Sequence, residues 1–331
     1  MIRFYRSRVV DDTPQNGGVP NYDAQVIGNA LDNIFPKLTV EERATGLTRY
    51  RKIFAHYVIQ SPADYRNVLA FNKVQPNNDN IVYIAEGGLV EAQGNLGGKK
   101  WHGSGVLVQP LTGGESDEVE VVVREEGGFH DGDIIFVGEL SGDGVTSPHF
   151  ELLTAGSAEY DAGASSYTLS NLTNIAGGEV VRQSFLDPEN TMVASCVDIG
   201  DLTAEAYDVV NPSAGGLLNL PIVNNIGTIG TEWTIEFLDD DGHVGVSRTA
   251  QIEDPYEFNI DEDIFIPNHR TGQNFFYIPA SYWFDTGELK EGMVVTFKTT
   301  AALSAIWLKL KVEEDCPPSQ GVYGVLAVVG E

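Results

Sequence analysis

Short apolar segments separated by glycine turns run through most of this sequence. The 331 residues include 36 glycines, many of them in pairs such as Gly17-Gly18, Gly87-Gly88 and Gly127-Gly128. Segments with this spacing are typical of antiparallel strands joined by tight turns, and helical periodicity is scarce between them. The sequence therefore predicts a mainly β protein, with β-sandwich or barrel-like domains and one or two short helices.

One helix start and one long strand stand out near the N-terminus. Thr39 followed by Glu42 has the spacing of a capping box, and Gly46 is placed to end the helix after less than two turns. Leu47–Ile59 then predicts a strand, because aromatic and β-branched residues are frequent in it.

Charge is distributed unevenly and suggests a domain boundary. The net charge of −28 arises after residue 110, since residues 1–110 carry 12 basic and 10 acidic side chains. With the boundary near Gly113-Gly114, we predict a core built from residues 1–112 with 231–331, and an acidic β-rich inserted or second domain at 113–230. The first strand, Ile2–Val10, and the last, Val322–Val329, are expected in one domain with Leu47–Ile59 because domain termini commonly lie close together.

The same charge pattern argues against several partners. A basic stripe for nucleic acid is absent, and the acidic part would repel phosphate. No window has the 18 or more apolar residues of a membrane span, and the first residues lack the apolar core of a signal peptide. We therefore expect a soluble protein made in a cytoplasm, with neither nucleic acid nor membrane as a partner.

Motifs for catalysis, metals and cofactors are not found. His102-Gly103-Ser104-Gly105 is the nearest approach to a nucleophile elbow, but it lacks the strand-to-helix context. Asp239-Asp240-Asp241-Gly242 resembles a calcium loop superficially, yet its spacing fails and it fits better as the tip of a hairpin over Thr234–Gln251. No phosphate-binding loop is present. The sequence predicts no catalytic residues, no metal site and no cofactor, and so a protein that is not an enzyme.

A carbohydrate-binding adhesin or receptor-binding protein is the alternative function. Exposed aromatic residues on a β-sandwich can bind sugars, and Tyr282-Trp283-Phe284 and Trp101 are the candidates. The competing interpretation places these rings in the core. Pairs of carboxylates for glycoside hydrolysis must also occur among 48 acidic residues, but nothing selects a pair.

Three basic residues and one cysteine are the predicted interface residues. A rare basic cluster is formed by Arg49, Arg51 and Lys52. It could contact a carboxylate-rich neighbour, or it could be the solvent-exposed face of a half-buried strand. Cys196 lies in a strand pattern and is expected to be buried. Cys316, between Glu313-Glu314-Asp315 and Pro317-Pro318, is expected on an exposed loop, as an unpaired thiol, an intersubunit disulfide or a bridge to Cys196.

Two groups of segments, one at each end of the chain, carry a resemblance to known proteins. The N-terminal group comprises Phe4–Thr13, Asn16-Gly17-Gly18, Asn33–Pro36, Glu42-Arg43 and Gly46–Phe54, and the C-terminal group comprises Ala301-Ala302, Ile306–Lys309 and Val328–Glu331. Together they resemble a family of virion structural proteins from tailed bacteriophages. The resemblance covers about a third of the chain and is most specific at Thr48-Arg49-Tyr50-Arg51-Lys52. After Trp307 the family usually continues into a proline-glycine turn, whereas this chain has Val312–Pro318.

The resemblance implies a non-enzymatic virion component. Such a protein would assemble as a symmetric homo-oligomer in the neck, collar or tail region, with copies of itself and other neck, tail or sheath proteins as partners. Baseplate and head-decoration positions remain alternatives. It would be made in the host bacterial cytoplasm and end in the virion.

Overall fold

The computed structural model describes residues 1–28, 33–59, 65–76, 80–114, 118–140, 146–176, 183–249, 255–317 and 325–330. Strands account for 52% of the structure and helices for 6%, so the predicted mainly β class is confirmed. Within these ranges, no helix is long and apolar enough to cross a membrane.

Twenty-five strands, one α-helix and four short 3-10 helices make up the described part of the chain. The first strands are β1 Ile2–Val9, β2 Gly17–Val26, β3 Leu47–Tyr57, β4 Leu69–Val74, β5 Asn80–Gly87, β6 Ser104–Leu107, β7 Val119–Val122, β8 Ile134–Leu140, β9 Thr146–Thr154, β10 Ser157–Asp161, β11 Ser166–Ser170 and β12 Thr173–Asn174. The others are β13 Thr191–Asp198, β14 Glu205–Val210, β15 Gly216–Leu217, β16 Ile222–Val223, β17 Thr231–Phe237, β18 His243–Arg248, β19 Tyr256–Asn259, β20 Ile264–Asn268, β21 Gln273–Ile278, β22 Trp283–Phe284, β23 Val294–Thr300, β24 Leu303–Val312 and β25 Val325–Val329. The helices are α1 Val40–Thr45 and the 3-10 turns Gln93–Asn95, Pro188–Asn190, Ala280–Tyr282 and Thr286–Glu288.

The local predictions near the N-terminus are confirmed. The Thr39 hydroxyl accepts a hydrogen bond from the Glu42 N–H, and the Glu42 carboxylate accepts one from the Thr39 N–H. Gly46 ends α1 with a φ of 66°, a backbone conformation that favours glycine. The strand β3 follows at once and ends at Tyr57, two residues earlier than predicted.

The chain divides into two compact units. The small unit comprises Met1–Phe4, Ala55–Arg66 and Asp201–Ser304, and the large unit comprises Tyr5–Phe54, Asn67–Gly200 and Ala305–Glu331. These bounds differ from the predicted domains: residues 113–200 share a unit with most of 1–112 and with 305–331, whereas 231–304 belong with 201–230 to the small unit. Most of β1 and β3 and all of β25 belong to the large unit. Residues 322–324 of the predicted last strand lie outside the described residues.

The large unit contains most of two antiparallel sheets. One has the order β2-β1-β3-β24-β5, so strands from the two ends of the sequence are neighbours. The other has ten strands, with β13 between β6 and β8. Strand β13 is buried on both faces: Val193 packs on one side with Val121, while Met192 packs on the other with Phe136. This alternation follows from the two-residue period of a strand.

The small unit has a sandwich-like core. Its five-stranded sheet has the order β14-β23-β17-β18-β19, and a three-stranded sheet has the order β16-β21-β20. Trp233 from the first sheet contacts Phe276 from the second, with ring centroids 4.8 Å apart. The predicted hairpin is confirmed through Arg248, which pairs with Trp233. Gln251, at its predicted end, lies outside the described residues.

Candidate functional site

The predicted basic interface cluster is buried in the large unit. Arg49, Arg51 and Lys52 are 8%, 5% and 1% exposed. Arg49 and Arg51 both form ion pairs with Asp12, at 3.1 and 2.7 Å, and Arg49 also pairs with Glu42 at 2.6 Å. Burial acts to raise the pKa of Asp12, but Arg51 and then Arg49 hold that pKa below its ordinary value. The carboxylates that pair with the two arginines thus belong to the same chain.

Lys52 is bound by backbone carbonyls. Its ammonium group donates to the carbonyl oxygens of Gly18, Leu89 and Glu91 at 2.8, 3.2 and 2.9 Å. The rings of Phe54 and Trp307 lie 5.0 and 5.7 Å from Nζ. Burial lowers the pKa of Lys52 to about 8. Lys52 therefore links the start of β2 to the loop after β5, and its ammonium group is satisfied within the large unit.

The two segments that carry the family resemblance meet around Lys52. Trp307, from the C-terminal segment, donates its indole N–H to the Glu91 carboxylate at 2.9 Å. Gly17, from the N-terminal segment, has a φ of +114°, and a Cβ there would lie 2.7 Å from the Glu91 carbonyl oxygen and 2.9 Å from the Trp307 ring. Asn16 donates to the Tyr50 carbonyl oxygen at 2.9 Å. These residues form an internal framework.

The two cysteines are both buried, as thiols, in the large unit. Burial was predicted for Cys196 and is confirmed, and it raises the pKa of that thiol. The predicted exposure of Cys316 is wrong, because this side chain is 3% exposed and packs with Leu310 and Val312. The Cys316 N–H donates to the Arg43 carbonyl oxygen at 3.1 Å, which holds the segment against the protein despite its acidic sequence.

A buried polar network in the large unit was missed by the sequence interpretation. The Ser195 hydroxyl donates to Asp133 Oδ2 at 2.5 Å and accepts from His102 Nδ1 at 2.7 Å. Lys100 Nζ lies 2.5 Å from Asp133 Oδ1. Burial acts to raise the pKa of Asp133, but its polar neighbours, led by His102, lower it to about 2. No local motif could have indicated the network, because the partners of Asp133 lie far away along the chain.

This network differs from a nucleophilic triad. In a triad the histidine lies between the nucleophile and the carboxylate and accepts the proton of the hydroxyl. Here Ser195 lies between His102 and Asp133, and its proton points to the carboxylate. Ser195 is also fully buried. The arrangement fits a structural role in joining β13 to the loop that precedes β8.

An open cleft of about 720 Å³ lies beside the network and within the large unit. Lys100 belongs to both, since it lines the cleft and pairs with Asp133. We call it the tyrosine cleft, and its lining includes Lys100, Glu126, His130, Asp131, Tyr160 and Tyr167.

An exposed apolar row crosses the three-stranded sheet of the small unit. Tyr277 on β21 pairs in register with Ile222 on β16 and with Phe265 on β20. Ile222 is 44% exposed and Phe265 is 48% exposed, and the Phe265 and Tyr277 rings stack with centroids 4.5 Å apart. Asp263 fixes Tyr277 by accepting its hydroxyl hydrogen bond at 2.9 Å. We call these three residues the apolar row.

The aromatic residues proposed from the sequence as sugar contacts lie in or near cores. Trp283 is 8% exposed and belongs to the small unit's core, as does the half-buried Tyr282 at its margin. Trp101 is half-buried against Tyr50, with centroids 5.7 Å apart, and Lys309 Nζ lies 4.9 Å from its ring.

The acidic hairpin tip is organised by its own hydrogen bonds. Asp239 accepts from the backbone N–H groups of Asp241 and His243 at 2.9 and 3.1 Å, and from His243 Nδ1 at 2.5 Å. This arrangement closes a turn, as the hairpin interpretation predicts. Across the described ranges, the structure contains no group of three or more His, Cys, Asp or Glu side chains placed to hold a metal ion.

Comparison with known proteins gives little guidance. No family model and no curated protein matches the chain. Among solved structures, the infectious bursal disease virus VP2 subviral particle aligns at 12% identity, covering 88% of this chain and 81% of that chain. The TM-score is 0.10, so this alignment carries no argument about fold or function.

Proposed function

We propose that this chain is a non-enzymatic structural component of a tailed-bacteriophage virion, where it assembles as a symmetric homo-oligomer in the neck, collar or tail region. The resemblance of the two end segments motivates this proposal. Their residues surround Lys52 and have structural roles there, which fits a family whose shared residues maintain a scaffold.

The observation that carries the proposal is the apolar row. Three large side chains in register on neighbouring strands present one apolar surface, and two of them are 44% and 48% exposed. A contiguous apolar surface on a rigid sheet favours protein contact, whereas single exposed apolar residues are ordinary. In this proposal the row contacts a different surface of the next copy, as in a ring. The exposed Asp263 binds the Tyr277 hydroxyl, so a contact between the same row of two copies would place like charges in one interface.

Assembly can be tested with the purified full chain. Phe265→Asp places a charge in the apolar row and is expected to shift the protein from oligomer to monomer in light scattering after gel filtration. Leu186→Asp is the matched control, because Leu186 is 69% exposed and lies in the large unit, outside the row. Equal behaviour of the two variants, or a monomeric wild type, would contradict the proposed contact.

Position in the virion needs a separate experiment. Particles that carry a tag on this chain can be imaged after labelling, and the expected label forms a ring or collar in the neck or tail region. Label on the capsid surface or the baseplate would favour the other virion positions, and particles without the chain would refute the virion role.

A further inference from the structure

We propose that the tyrosine cleft of the large unit is a binding site for neutral saccharides. It shares no residue with the apolar row and none with the aromatic residues suggested by the sequence. The proposal goes beyond the assembly function and does not depend on it.

The aromatic wall of the cleft is built by a hairpin. Tyr160 on β10 pairs in register with Tyr167 on β11, and their ring centroids lie 5.1 Å apart. Tyr167 is buried, packs against Phe129 at 5.3 Å, and accepts a hydrogen bond from the Gly127 N–H at 2.7 Å. Tyr160 is half-buried, so part of its ring remains accessible from the cleft. The wall is thus rigid, and Tyr160 is its exposed surface.

Two polar side chains of the cleft, Lys100 and His130, are held in place by hydrogen bonds and an ion pair. Lys100 Nζ is held by the fully buried Asp133 side chain at 2.5 Å. The His130 ring is oriented by the hydrogen bond of Nε2 with the Trp101 carbonyl oxygen at 2.9 Å, and the His130 N–H donates to Asp133 Oδ2. The buried network described above therefore holds Lys100 and His130 in the lining of the cleft through Asp133.

Acceptors complete the cleft. Asp131 and Glu126 are both exposed, and Asp131 is positioned by accepting the Ala158 N–H at 2.9 Å. The charge of Lys100 is balanced by Asp133, so these two carboxylates leave the rim negative. Anionic ligands such as phosphates and acidic sugars are disfavoured by that charge.

A neutral saccharide fits this combination of groups. Sugar rings present C–H faces that pack on an aromatic ring, and their hydroxyl groups both donate and accept hydrogen bonds. A purely cationic ligand would need only carboxylates and aromatic rings, and would gain nothing from the donor Lys100. The volume of about 720 Å³ is within the usual range of small-ligand sites and has room for a short oligosaccharide.

The test is calorimetric titration of the full chain with maltohexaose, cellohexaose, fully N-acetylated chitohexaose and mannohexaose, and with hexagalacturonate as an acidic sugar. We expect binding of at least one neutral hexasaccharide and none of hexagalacturonate. Tyr160→Ala is expected to weaken binding at least about tenfold, the equivalent of 1.4 kcal/mol, while Tyr160→Phe keeps most of it. Asp131→Asn is expected to weaken it as well. Thermal unfolding identifies any variant whose loss of binding reflects loss of fold.

Tyr207→Ala, at a 43% exposed tyrosine of the small unit, is the matched control and should bind like the wild type. No binding of any neutral hexasaccharide, stronger binding of hexagalacturonate, or equal binding by wild type and Tyr160→Ala would each overturn the proposal. Phe265→Asp should bind saccharide like the wild type even when it is monomeric, so failure of the assembly proposal and failure of this one are distinguishable.

Discussion

Replacing Lys52 by Met tests how the charge of a buried ammonium group affects the stability of the framework around Lys52. The side chain is 1% exposed, and its ammonium group contacts three carbonyl oxygens and two aromatic rings. Met has a similar length and no charge. The substitution therefore removes the hydrogen bonds while it largely fills the space.

The size of the expected effect on the free energy of unfolding follows from the pH dependence of stability. The unfolded chain keeps the Lys52 proton up to a pKa of 10.5, whereas the folded chain releases it at a pKa of about 8. Between these values the unfolded state binds more protons, so the free energy of unfolding rises with pH. Each pKa unit corresponds to about 1.4 kcal/mol. The stability of the wild type relative to Lys52→Met should thus increase by about 3 kcal/mol from pH 7.5 to pH 10.5.

The measurement is urea unfolding of the two proteins at matched pH values. Taking the difference between them cancels the titration of the tyrosines and of the other lysines. Lys37→Met, at an exposed lysine, controls for the change in net charge. A difference between wild type and Lys52→Met that stays constant from pH 7.5 to pH 10.5 would refute the reasoning.

Four further predictions concern buried contacts. Arg51→Met should lower the free energy of unfolding by about 2 kcal/mol, because it removes the hydrogen bonds that the buried Arg51 guanidinium donates to the Asp11 and Tyr50 carbonyl oxygens and to the exposed Asp12 carboxylate. Arg8→Met, at an exposed arginine, should have little effect. The pKa of Asp133 is lowered from 3.8 to about 2, so its ionised form contributes about 2 kcal/mol of stability above pH 4, and the wild type loses this contribution as the pH falls towards 2. Asp133→Asn should lack this contribution, and acid unfolding of both proteins would detect the difference. Gly17→Ala should destabilise the protein by at least about 2 kcal/mol more than Gly18→Ala in thermal unfolding, because both glycines have a positive φ but only Gly17 lacks space for a Cβ. A thiol reagent should modify Cys316 only as fast as the protein unfolds. Modification of the folded protein at the rate measured for a thiol in a short peptide would contradict the burial of Cys316.

Features that depend on neighbouring residues could be predicted from the sequence. The capping box at Thr39 and Glu42, the end of α1 at Gly46 and the hairpin around Asp240 each arise within a few residues of chain. Their hydrogen bonds are local, so the residue pattern is enough to specify them. The β class follows from the same local patterns repeated along the chain.

Features that depend on distant residues could not be predicted. The carboxylate that pairs with Arg51 belongs to Asp12, and the serine that binds Asp133 is 62 residues away. Cys316 was expected on the surface because its neighbours in sequence are acidic, yet a backbone hydrogen bond to Arg43 brings it inside. The tyrosine cleft likewise depends on the register between Tyr160 and Tyr167 and on a loop from another part of the chain.

The buried cations also change how the charge of this protein should be interpreted. Of the 12 basic residues in 1–110, Arg49, Arg51, Lys52 and Lys73 are buried, whereas the buried acids among the described residues are Asp133 and Glu151. The surface is therefore more acidic than the sequence alone indicates. Contacts between copies must then form despite electrostatic repulsion, which favours apolar surfaces such as Ile222, Tyr277 and Phe265 over charged ones as the place of assembly.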